Sequence, residues 1–129
     1  MRRKTIPILI LLLFFTAACA KTGAVTTSGA DQDFITNSYN ALDLGGKSVD
    51  RAMTAIGMLY KAGQFSEVNK QMALQAYGTF QSSYNRAVDA LTVYSVTPSP
   101  ANKTAVTVAI ADVGVQVAAV VALSIIQAK

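Results

Sequence analysis

Cys19 is the only cysteine in a chain of 129 residues that contains no histidine. A lone thiol closes no disulfide within its own chain. With no imidazole beside it, it makes neither a Cys–His nucleophile pair nor a soft metal site. The acids are Asp31, Asp33, Asp43, Asp50, Glu67, Asp89 and Asp112, scattered along the chain. Asp43 with Lys47, Glu67 with Lys70, and Arg86 with Asp89 stand at helical neighbour spacing. Such pairs are read as solvated contacts worth about 0.2–0.5 kcal/mol each. Gly45-Gly46 has no phosphate-loop context. No set of acid, base and nucleophile can be assembled, so the expectation is a protein that is not an enzyme and holds no metal and no cofactor. Two kinds of chemistry remain: the Cys19 sulfur, and five tyrosines at 39, 60, 77, 84 and 94.

The surroundings of Cys19 give it a role. Arg2, Arg3 and Lys4 precede an uncharged stretch from Ile6 to Ala18, which ends on small residues. A helix crossing a bilayer needs roughly 20 apolar residues. This stretch is shorter and has the order of a secretory signal: basic start, apolar middle, small-residue cleavage zone. Phe15-Thr16-Ala17-Ala18-Cys19 resembles the lipobox of bacterial lipoproteins, with Thr16 where that class usually has an aliphatic residue. The resemblance covers the first 19 residues. It implies removal of residues 1–18, a diacylglycerol on the Cys19 sulfur and an acyl chain on its new amino group. It also implies a membrane partner held through lipid. Ala20 and Lys21 follow where an Asp would favour inner-membrane retention, so the resemblance points to the outer membrane, facing the periplasm. The rival reading is ordinary cleavage after Ala18-Cys19-Ala20.

Cleavage changes the charge argument. Of eleven Lys and Arg, three lie in the signal; eight then stand against seven acids, a net charge near +1 in place of +4. With no basic cluster left, nucleic acid is excluded as a partner. Residues 19–30 are small and polar and read as a tether, and residues 31–127 as one domain.

Within that domain the spacing predicts three helices, about 32–62, 67–96 and 100–127. Asp31 or Asp33 is placed to cap the first. Ile35, Tyr39, Leu42, Gly46, Val49, Met53, Ile56 and Tyr60 recur at alternating steps of four and three, a coiled-coil seam. Gly63 stops that helix and Ser66 caps the next. The second seam runs Ala73, Tyr77, Phe80, Tyr84, Ala87, Leu91, Tyr94. Thr97-Pro98-Ser99-Pro100 ends it and starts a third helix. A turn this short makes the first two helices an antiparallel hairpin. Folding there pairs Ile35 with Tyr94, Leu42 with Ala87, Gly46 with Tyr84, and Ile56 with Ala73. Gly46 then makes room for the Tyr84 phenol, so Gly46→Leu is expected to overpack. Beside the seams lie mostly small residues: Ser38, Gly45, Ala52 and Leu59 on one helix, Ala76, Ser83 and Ala90 on the other. The third helix should dock on that side, where backbones approach closely.

The stretch Met58-Leu59-Tyr60-Lys61-Ala62-Gly63-Gln64-Phe65-Ser66-Glu67 is similar to the turn of small helical-hairpin proteins of bacteria and phages. Residues 105–126 carry one charge, Asp112. Val106, Ile110, Val113, Val117 and Val120 keep the helical spacing and favour a third bundle helix with Asp112 on a wet stripe. A membrane span and two strands are the competing readings. The expected fold is therefore all-α: a helical hairpin plus a valine-rich third helix, up-down-up. The first expectation for function is a non-enzymatic, membrane-tethered lipoprotein with a protein partner. A carrier of a small apolar ligand, with Tyr39, Tyr77, Tyr84, Tyr94 and Gly46 lining a groove, is the second. A membrane-active or lysis-related lipoprotein inserting residues 105–126 is the third.

Overall fold

The computed structural model describes residues 28–126. They form three α-helices: α1 Ser28–Lys61, α2 Glu67–Val96 and α3 Pro100–Ile126. Each packs against the other two in an up-down-up three-helix bundle, with no strand among the described residues. The strand reading of residues 105–126 is thereby overturned. Valine is a modest helix former, but four valines of α3 (106, 113, 117 and 120) are completely buried. Their burial, at about 1.5–3 kcal/mol per side chain, outweighs a propensity loss of a few tenths each.

The turns follow local chemistry. Gly63 takes φ 71°, the left-handed conformation that glycine adopts freely. Its N–H bonds the Tyr60 carbonyl at 3.0 Å, and the Gln64 N–H bonds the Leu59 carbonyl at 2.9 Å, which makes a Schellman stop. Phe65 then plugs this end of the bundle against Ile56 and Ala73. The Ser66 hydroxyl accepts from the Asn69 N–H at 3.1 Å and caps α2. Ser99 does the same for α3 through the Asn102 N–H at 3.1 Å, with Pro100 at the first helical position.

The start of α1 differs from the expectation. Neither Asp31 nor Asp33 caps it; the helix already runs from Ser28, so residues 28–30, assigned above to the tether, are helical. Asp31 sits inside the first turn, where its charge complements the positive helix end. Its carboxylate also accepts a 2.5 Å hydrogen bond from the Tyr94 hydroxyl at the end of α2. That long-range partner fixes the entry of α1.

The order of packing is also unlike a clasped hairpin with a cover. Backbones approach most closely between α2 and α3, next between α1 and α3, and least between α1 and α2. The reason is side-chain size. Ser38, Gly45 and Ala52 face α3 from α1, and Ser83 faces it from α2; all are buried. The α1–α2 side is filled by Phe80 with the rings of Tyr77 and Tyr84, which hold those helices apart. Docking of the third helix on the small-residue side is thus the observed arrangement, and α3 is the spine of the bundle.

Candidate functional site

The tyrosines divide into three settings. Tyr94 is 1% exposed, with its ring edge-on to Phe34 at a centroid distance of 5.0 Å. Burial, and then the Asp31 carboxylate at its hydroxyl, push its pKa up to about 12. Tyr77 and Tyr84 are half-buried and flank Phe80 at 6.3 and 5.6 Å. Tyr39 and Tyr60 are partly exposed, at 47% and 38%. The expected aromatic groove is therefore brought together only in part. Gly46, Tyr84 and Tyr77 share one stretch of the α1–α2 seam; Tyr94 belongs to the core at the far end, and Tyr39 points outward.

Gly46 does lie across from Tyr84, since a Cβ placed on it would stand 3.9 Å from Tyr84 Cε2. That is ordinary contact. The tight glycine is its neighbour: a Cβ on Gly45 would stand 3.3 Å from Val117 Cγ2 and 3.6 Å from Val113 Cγ1. The close approach that a missing side chain permits is between α1 and α3, rather than between α1 and the Tyr84 ring.

Tyr60 closes the hairpin end. Its hydroxyl donates to Glu67 at 2.8 Å, and the Lys70 ammonium lies 4.3 Å from its ring centroid and 3.5 Å from the same carboxylate. The Tyr60 hydrogen bond, with help from Gln71, holds the Glu67 carboxyl below its usual pKa. The contact with Tyr60 raises that of Lys70. Both groups are exposed, so the clasp sets geometry more than stability.

Asp112 does not stand in an open wet stripe. It is half-buried, and Ser83, itself 3% exposed, donates to it at 2.6 Å across the α2–α3 seam. The sequence marks Asp112 as the one acid in an apolar run; its partner, 29 residues earlier, becomes visible only when α2 and α3 are brought together. Ser83→Ala leaves this carboxylate short of a donor. It is expected to cost about 1–2 kcal/mol, read as a lower urea midpoint with unchanged slope.

A shallow depression between α2 and α3 is lined by Met72, Gln75, Ala76, Thr79, Ala119 and Leu123. No tyrosine lines it. On the outside of α3, Val108 and Val115 are each 63% exposed, among exposed Ala101, Ala105, Ala111 and Ala119. This helix is long and apolar enough to cross a membrane by length and composition; in its most apolar stretch 17% of the residues are fully buried, and most of the others are half-buried. Among the described residues no three His, Cys, Asp or Glu side chains gather as a metal site. Cys19 lies outside the described residues.

Searches against protein-family models, curated proteins and solved structures return no match to this chain.

Proposed function

We propose that the protein is a lipid-anchored, non-enzymatic interaction module of a bacterial envelope, held at the outer membrane and facing the periplasm. The observation that carries this reading is the order of residues 2–19: three basic residues, an uncharged apolar run, small residues, then the only cysteine. Diacylglycerol on Cys19 with an acyl chain on its amino group supplies the two or more chains that stable anchoring requires. The bundle supports the reading from the other side. α1 begins nine residues after Cys19, and those residues reach at most about 30 Å. The domain is then kept within one bundle length of the bilayer, with the uncharged flank of α3 free to meet a protein partner.

The test is mass spectrometry of the processed amino terminus together with fractionation of a Cys19→Ala variant whose signal segment is normally removed. A mature chain beginning at an acylated Cys19, and release of the variant into the soluble fraction, are expected. An unmodified thiol on secreted material would end the proposal.

α3 favours a second reading, in which residues 105–126 insert into the membrane. Residues 105–126 of the helix are mostly apolar, and Asp112, the one charge among them, costs about 2.5–3.5 kcal/mol at a helix centre on insertion scales. Retention of a normally processed Cys19→Ala variant in the membrane pellet after high-pH extraction would decide for insertion. Its release would decide for the bundle docked only through lipid.

A further inference from the structure

The outward face of α3 repeats the spacing of its buried face. Thr104, Val108, Ala111, Val115, Ala118 and Ala122 follow one another at steps of four and three, all exposed or half-exposed, with no charge among them. A coiled-coil seam presented to solvent calls for another helix. The order of sizes along this seam says which one. Turned about a two-fold axis level with Val113, the seam meets itself, and Thr104 falls opposite Ala122, Val108 opposite Ala118, and Ala111 opposite Val115. A larger residue faces a smaller one at every level. The two positions in each pair are of the unlike classes that antiparallel coiled-coil helices set against each other. We infer that this face binds a second copy of the chain, α3 against α3 in antiparallel, two-fold fashion.

A two-fold interface must be self-complementary, and this seam meets that condition without help from any other element. From Thr104 to Ala122 it is about 27 Å long, and over a helix width of about 10 Å the footprint is on the order of 300 Å² per copy. Stable dimers bury about 800 Å² per partner. The α3 seam therefore gives a weak dimer alone, favoured when copies share a surface. If the anchor proposed above holds, confinement to a membrane raises the effective concentration of copies. The pairing itself does not depend on the anchor.

Disulfide trapping on the purified full-length chain carrying Cys19→Ala, in detergent, tests this. Val108→Cys with Ala118→Cys is expected to form a covalent dimer under mild oxidant. Within one helix those positions lie about 15 Å apart and cannot bridge. Either substitution alone is expected to give no more dimer than the parent chain, because its mate is about 15 Å away across the axis. Dimer from Val108→Cys alone would mean parallel pairing and would overturn the arrangement. No dimer above the parent from the double variant, with its helical circular dichroism unchanged, would overturn self-association and leave the face to lipid or to a different protein. With Cys19 replaced the introduced cysteines are the only thiols, so the outcome does not depend on lipidation and the two proposals fall separately.

Discussion

Tyr94→Ala is expected to cost about 3–5 kcal/mol and to lower Tm by roughly 12–20 °C. The side chain is among the largest of those fully buried, and it joins the end of α2 to the start of α1 in two ways. Its ring packs edge-on to Phe34, and its hydroxyl holds Asp31 at 2.5 Å. Alanine would leave a ring-sized void and an unanswered carboxylate together. Tyr94→Phe separates these effects. It keeps the ring, loses the hydrogen bond, and should cost only about 0.5–1.5 kcal/mol near neutral pH. The two should also differ from wild type in alkali. The folded chain holds the Tyr94 proton up to about pH 12, against about 10 when unfolded. The stability contributed by the neutral phenol is then complete below pH 10 and is lost as pH rises from about 10 to 12. Wild type should lose its advantage over Tyr94→Phe across that window in urea titrations at pH 8 and pH 11.5. A constant difference between them, or a loss below 1 kcal/mol for the alanine variant, would contradict the burial of this ring.

Gly45→Leu is expected to destabilise by about 3 kcal/mol, the upper end of the usual overpacking range. The two side chains nearest a new Cβ are Val117 at 3.3 Å and Val113 at 3.6 Å, and both are fully buried with nowhere to retreat. Leucine adds three further carbons beyond that Cβ, so α1 and α3 must separate. One residue along, the sign reverses. Gly46→Ala places its methyl at 3.9 Å from Tyr84, in ordinary contact, and gains about 0.8–1 kcal/mol of helix propensity. It should raise the urea midpoint while Gly45→Leu lowers it. Equal and same-signed effects would mean that the face α1 presents to α3 is misplaced by a residue.

This pair of glycines also shows where sequence reasoning stops. The spacing places Gly46 opposite Tyr84, and the structure has it there. Spacing alone does not say how far apart two backbones run. That distance is set by the largest side chains on each face, summed over the whole interface. Phe80, Tyr77 and Tyr84 keep α1 and α2 apart, so the glycine between them has room to spare. Ser38, Gly45 and Ala52 let α3 in, so the glycine among them has almost none. The tyrosines divide for the same reason. All five occupy positions of one helical period, but a seam that faces a wide interface exposes its margins. Tyr39 and Tyr60 therefore stand at the rim, and Tyr94 lies in the core.

Local chemistry was legible from the chain itself. The Gly63 stop, the Ser66 and Ser99 caps, Pro100 at a helix start and the four-three spacing of three segments each depend on residues within a few positions of one another. Such signals survive without tertiary contacts, and together they dictate three helices in an up-down-up order. Tertiary structure decided what depends on residues far apart in sequence. The Asp31–Tyr94 and Ser83–Asp112 hydrogen bonds span 63 and 29 residues. Neither has a local signature, since a carboxylate's partner is chosen by whichever helix the core brings beside it. The valine-rich segment is the clearest case. Its composition alone suits a span, a strand pair or a bundle helix; burial of one stripe against Gly45 and the small residues of α2 made it the spine and left its other stripe facing outward.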